Sequence, residues 1–222
     1  MGELRQRDLP TDAVAVVPEF PTGVVRVALD DNGSPSYEIA EKVAWDHVPL
    51  TDDLRALAAE ADAICFGSLA QRHAGTRGTI EGMLQLADAV AWRVFDVNLR
   101  QDYYDAYLLE ESLQRCSLLK LSGEELAVVG DLLGVPAGED EERLDELAGR
   151  YHVRGWIVTY GKDGSVMKLD GRKSAVASDP DAPVVDTVGA GDSFLGAVVC
   201  GLLAGWDLDR LHREMPTSLD HA

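Results

Sequence analysis

Between residues 51 and 170 the chain alternates short apolar runs with amphipathic segments, and this alternation restricts its fold more than any other feature. TDDLRALAAEA (51–61) reads as a helix capped by Thr51 or Asp52, DAICFG (62–67) as a strand, and residues 76–89 as a helix. WRVFDVN is a strand, DAYLLEESLQR a helix, SLLKL a strand and GEELAVVGDLL a helix; EDEERLDELAGR is a further helix, leading to the strands GWIVTY and SVMKLD. Apolar strands joined through helices predict an α/β fold, a parallel sheet with helices on both faces. In such sheets ligands bind where the strands end, and the unusual residues fall there: Gly67, then Asp96 and Asn98, then Thr159 and Gly161.

Residues 14–43 have a different rhythm. AVAVV, GVVRVALD and SYEIAEKV read as extended, with a turn at Asp31-Asn32-Gly33-Ser34-Pro35. Val25, Val27 and Leu29 alternate with Arg26 and Ala28, which predicts one covered face and one wetter face. The reading is a single domain over 1–222, with a small β portion at about 12–48 and the α/β core at about 49–222.

Charge narrows the partners. With 39 acidic against 20 basic side chains the formal net charge is −19, which disfavours nucleic acid and anionic membranes. Cys65, Cys116 and Cys200 lack the pairing of zinc or redox motifs and read as reduced, mostly buried thiols. GELRQRDLPTD after Met1 has no apolar centre of the signal-peptide kind, and the longest apolar stretch, Phe194 to Gly205, suits a core helix; the expected location is the cytoplasm.

That apolar stretch is preceded by DTVGAGDSF (186–194). Gly189, Ala190 and Gly191 leave backbone N–H groups open at the positive end of a helix, which makes a cradle for phosphate. Asp192 in the same place has two readings. As a first-turn carboxylate it favours the helix dipole by about 0.3–1 kcal/mol. Beside an anion hole it is also placed to take a proton from a hydroxyl that attacks a phosphoryl group.

DTVGAGDSF resembles the C-terminal signature of PfkB-type carbohydrate kinases of the ribokinase superfamily. PTGVVRVALDDNGSPSYEI is similar to the lid strands of that family, and FGSLAQR, FDVNLRQ and LKLSGEEL follow in the order of its fructokinase-like members. The resemblance implies a ribokinase-like fold with a β lid. It implies ATP-dependent phosphorylation of a sugar hydroxyl, of fructose or a related ketose, with sugar and nucleotide as partners and Mg²⁺ at the phosphates. Asp192 matches the catalytic base, and Gly189, Ala190 and Gly191 the anion hole. Thr159, Gly161 and Gly164 match the T-x-G-x-x-G nucleotide turn, with Asp186 and Thr187 assisting at the phosphates. Asp96, Asn98 and Arg100, with Gln71 and Arg72, are the expected substrate-binding set. Glu125 matches the acidic position of the N-x-x-E motif that organises magnesium, whereas Ser122 replaces its asparagine. The GG-containing substrate motif and the late adenine-closing segment have no match, so the chain reads as part of the family domain and a weak kinase by itself. The competing expectation is a non-catalytic nucleotide- or sugar-binding remnant. Pairing of two lids is a further expectation.

A hydrolase reading is available too. Gly191-Asp192-Ser193 with Asp209 and His212 resembles the serine and D-x-x-H blocks of GDSL esterases. In that family, however, the serine block stands near the N-terminus and the fold intervenes before the histidine. Here only one helix separates the blocks.

Overall fold

A computed structural model describes residues 2–29, 35–177 and 189–214. The chain forms two compact units, Met1–Ala61 with Leu69–Ala89, and Asp62–Ser68 with Val90–Ala222. Residues 49–61 and 69–89 therefore cluster with the β portion.

The first unit contains α1 (Gly2–Gln6), the strands β1 (Val25–Leu29) and β2 (Pro35–Ile39), α2 (Asp52–Glu60) and α3 (Ala74–Leu86). β1 and β2 pair antiparallel, Val25 opposite Ile39. The AVAVV run forms no strand, and Val16 is 71% exposed: alternation without a neighbouring strand to bond remains irregular. The predicted turn at 31–35 lies outside the described residues except for Pro35, which opens β2. Val25 and Val27 are exposed on one side of the ribbon, contrary to the expected covered face. Thr51 caps α2 by accepting from the Leu54 N–H. On α3, Thr76 Oγ1 donates to the Trp45 carbonyl at 2.8 Å and Thr79 Oγ1 to that of Val48 at 2.6 Å, which fixes the 44–48 segment to the helix.

The second unit is one six-stranded sheet, ordered as in the sequence: β3 (Ala63–Gly67), β4 (Trp92–Asp96), β5 (Leu118–Ser122), β6 (Gly155–Thr159), β7 (Ser165–Leu169) and β8 (Arg172–Val176). β3 to β6 run parallel. β7 and β8 run antiparallel and extend the parallel portion into a mixed sheet. The connections explain it, since a parallel crossover takes a dozen residues or more. β7 reaches β8 through Asp170 and Gly171, both at positive φ (48° and 80°), the geometry of a tight hairpin. β8 escaped the sequence reading because its RKSAV is an edge strand carrying charge rather than an apolar run.

Helices α4 (Ala106–Arg115), α5 (Gly123–Leu132) and α6 (Asp140–Tyr151) return the chain between parallel strands. Trp156, 1% exposed, points to their side of the sheet and donates Nε1 to Asp145 of α6 at 2.9 Å. The other face carries Val94, Leu118, Ile157 and Met167, which pack with Leu195 and Val198 of α7 (Ala190–Leu203) and Leu208 and Leu211 of α8 (Leu208–Arg213). A Cβ at Gly201 would sit 2.4 Å from Leu211, so glycine is what lets α8 lie this close to α7. Cys116 is buried, but Cys65 and Cys200 are exposed, which corrects the expectation of mostly buried thiols. Among the described residues no helix is long and apolar enough to cross a membrane.

Candidate active site

The sheet face under α7 changes character along each strand. Side chains two residues apart share a face, so Val94 is followed by Asp96, Leu118 by Lys120, and Ile157 by Thr159. The apolar half holds the helix; the polar half lies at the carboxyl ends of the parallel strands. Asp96 stands opposite Lys120 in register, and the two form a buried ion pair with Lys120 Nζ 2.9 and 3.1 Å from the carboxylate oxygens.

The mouth of α7 meets this polar patch. Gly189 is the N-cap residue at φ 79°, a left-handed conformation that favours glycine. Its first intrahelical bond runs from the Ser193 N–H to the Gly189 carbonyl at 2.8 Å, so the N–H groups of Ala190, Gly191 and Asp192 lie ahead of the ladder. Among the described residues no side chain caps this end, whereas Thr51, Asp105, Ser122 and Asp207 cap α2, α4, α5 and α8. A Cβ at Gly191 would stand 3.2 Å from Lys120 Nζ. Asp192 is exposed in the first turn.

Electrostatics tie the patch together. Burial pushes the Asp96 carboxyl above the usual carboxylate range; the Lys120 ammonium opposes that shift, and the negative charges of Glu125 and Asp192 add to it. Asp96, Lys120, Glu125, Gly191 and Asp192 thus form one neighbourhood.

Glu125 is engaged as a cap. Its Oε1 accepts from the Leu99 N–H at 2.7 Å and its Oε2 from the Ser122 N–H at 2.8 Å, while Ser122 Oγ accepts from the Glu125 N–H at 3.2 Å. This capping box shows that serine can take the asparagine position structurally. Both Glu125 oxygens thus accept backbone hydrogen bonds, and among the described residues no three His, Cys, Asp or Glu side chains cluster for a metal.

Thr159 ends β6 in register with Ser122. The following turn has Gly161 and Gly164 at φ 57° and 97°, and the Tyr160 N–H donates to the Gly164 carbonyl at 2.8 Å. Tyr160 Oη donates to Asp140 at 2.8 Å; burial, then the Asp140 carboxylate, pushes its phenol up to about 12. Asn98 adopts a left-handed φ of 43°, and its carbonyl accepts from Ser68 Oγ at 3.3 Å. The Arg100 guanidinium donates to the neighbouring Leu99 carbonyl.

Gln71 and Arg72 belong to the first unit. Gln71 is buried, and Arg72 donates to Asp46 and to the Ala40 carbonyl. Asp186 and Thr187 lie outside the described residues. The hydrolase arrangement does not assemble: Ser193 opens α7, whereas Asp209 lies beyond its far end, paired with Arg172 at 3.1 Å.

The residue that sequence reasoning missed is Lys120. Its signal was present as a lysine between leucines in LLKLS, an apolar strand in which a charge needs a reason.

Comparison with known proteins gives the family. A sequence profile described as pfkB family carbohydrate kinase matches residues 1–213. The chain belongs to the pfkB family of carbohydrate kinases. It is 28% identical to a fructokinase of Escherichia coli over 232 residues, which covers 100% of this chain and 73% of that enzyme. It is also 27% identical to a sugar kinase of Pyrococcus horikoshii, spanning 94% of this chain but 64% of the relative's length. The crystal structure of an uncharacterized P. horikoshii sugar kinase in complex with ATP superposes with a TM-score of 0.79 at 26% identity, covering 96% of this chain and 68% of that one. A fructokinase of Xylella fastidiosa with bound ATP gives a TM-score of 0.80 at 20% identity, over 95% of this chain and 67% of that one, which speaks for the fold.

Proposed function

We propose that this chain transfers the γ-phosphoryl group of ATP to a sugar hydroxyl, with fructose or a related ketose as the acceptor. The observation that carries this reading is the mouth of α7, where Asp192 stands exposed beside N–H groups that precede the helical ladder, with Lys120 against Gly191. The N–H groups from Ala190 to Asp192 receive charge from the transferring phosphoryl oxygens. The sugar oxygen bonds to the γ-phosphorus as the bond from that phosphorus to the bridging oxygen breaks. ADP leaves with the electron pair, and the hydroxyl proton passes to the Asp192 carboxylate.

Thr159, Gly161 and Gly164 contact the nucleotide in this reading. Asp96, Asn98 and Arg100 belong to the polar surroundings of the acceptor. The fructokinase relatives support a ketose, and the ATP-bound structures support the nucleotide.

A coupled assay of nucleotide consumption with fructose, ribose, 2-keto-3-deoxygluconate and nucleosides tests the reading. Sugar-dependent ADP release, highest with fructose, is expected. Nucleotide binding without turnover on any acceptor would favour a binding role instead.

The same reading includes a homodimer formed through β1. Val25 and Val27, 54% and 56% exposed on one side of the ribbon, supply an apolar face. Sedimentation is expected to show a dimer that Val25→Lys/Val27→Lys dissociates; a wild-type monomer at high concentration would refute it.

A further inference from the structure

We infer that Tyr160 is a positioning residue, whose side chain braces the 159–164 turn from behind so that the turn meets a nucleotide already in shape. The inference rests on the nucleotide-binding reading above and adds to it a residue that the T-x-G-x-x-G pattern leaves unspecified.

A turn with two glycines is loose unless something outside it sets its place. Gly161 and Gly164 stand at φ 57° and 97°, and glycine loses more backbone freedom on ordering than any other residue. Backbone bonds close the turn on itself: the Tyr160 N–H donates to the Gly164 carbonyl at 2.8 Å, the Asp163 N–H to the Tyr160 carbonyl at 3.1 Å and the Gly164 N–H to the Gly161 carbonyl at 3.2 Å. These bonds give the turn its shape and leave its position to other contacts.

The Tyr160 side chain reaches out of the turn to two helices. Its Oη donates to the carboxylate of Asp140, the first residue of α6, at 2.8 Å. Its ring lies across the start of α5, where a Cβ on Gly123 would come within 2.8 Å of ring carbon Cε1 and 2.9 Å of Cδ1. Gly123 follows Ser122, which is in register with Thr159, so the ring bridges the ends of two neighbouring parallel strands. Glycine at 123 is what lets it lie there.

A phenol suits the task because it remains a donor. Burial, then the Asp140 carboxylate, pushes it up to about 12, so the proton that Asp140 accepts stays in place near neutral pH. Such a brace acts on binding and leaves the chemical step alone. Where the turn is loose in the free protein, the nucleotide must order it, and apparent affinity falls by the fraction of the time that the turn is in place.

Tyr160→Phe removes the Oη and keeps the ring against Gly123. In the coupled assay with the best sugar it is expected to raise the KM for ATP by roughly three- to tenfold, the range of one lost hydrogen bond, while kcat and the KM for sugar hold. Titration with ATP should show the same loss. Asp140→Asn, whose carbonyl oxygen can still accept from Oη, should stay near the wild type, whereas Asp140→Ala should match Tyr160→Phe. Urea unfolding of each variant separates position from stability. An unchanged KM for ATP in Tyr160→Phe, whether or not that chain unfolds earlier, would overturn the positioning role while leaving nucleotide binding intact, and so would equal rises in KM for ATP and for sugar. A wild-type chain that neither binds nor consumes ATP would overturn the underlying reading, and this inference with it.

Discussion

Asp192→Asn is expected to lower sugar-dependent ATP consumption by about 10²-fold or more, the range lost when a positioned general base is removed. The substitution keeps the size of the side chain and a carbonyl oxygen that can still face the first-turn N–H groups. It removes only the proton acceptor. Asp192 is exposed in the third position after the Gly189 cap, so the fold should be unaffected. Helix-dipole support from the carboxylate, worth about 0.3–1 kcal/mol, is the limit of the stability change. The decisive comparison is between turnover and affinity: turnover with the best sugar should collapse while ATP binding, measured by titration, changes little. Retained turnover would return Asp192 to the role of an ordinary first-turn carboxylate.

Much of this site could be read from residue order, because its parts sit on elements whose periodicity is plain. Asp96 ends an apolar strand, Thr159 ends another, and the glycines before Phe194 announce a helix mouth; in each case local pattern and position in an α/β sheet agree. What was not legible depended on contacts across the sheet. LLKLS shows a lysine among leucines, but only the register of β4 and β5 reveals Asp96 opposite it. The direction of β7 and β8 hangs on two tight turns, residues 160–164 and Asp170-Gly171, and strand polarity is invisible to hydrophobic alternation. Glu125 fits an acidic motif position by sequence, yet its oxygens serve the backbone of Ser122 and Leu99, twenty-six residues of separation in the second case. The exposed side of β1 was misread for a related reason. Alternation shows that a strand has two faces, and it does not show what lies against them.

Arg72 is where sequence and structure diverge most, and there the expected effect is on stability. FGSLAQR suggested a side chain facing substrate. The structure places Arg72 Nε 2.7 Å and Nη2 2.9 Å from the Asp46 oxygens and Nη2 2.6 Å from the Ala40 carbonyl, with the guanidinium 4.0 Å from the centre of the Trp45 ring. The two charged side chains are 5% and 3% exposed. Arg72→Met keeps length and apolar bulk but leaves the Asp46 carboxylate buried without its ion-pair partner, and breaking such a pair costs about 3–5 kcal/mol. Arg72→Met/Asp46→Leu should recover most of that loss, since it removes the stranded charge as well. The pH dependence has a definite sign. Burial by itself would raise the Asp46 carboxyl, but the Arg72 hydrogen bonds and charge and the Val43 N–H bring it below the usual carboxylate range. A depressed carboxyl contributes stability above its unfolded value of about 3.9, and that contribution fades as pH falls through the folded value. Without Arg72 burial prevails, the carboxyl rises, and protonation relieves the strain instead. The deficit of Arg72→Met in urea unfolding should therefore be largest near pH 7 and narrow toward pH 4. A variant that unfolds like the wild type at both pH values but loses affinity for sugar would mean that Arg72 faces the substrate, as FGSLAQR suggested, and that the ion pair with Asp46 is dispensable.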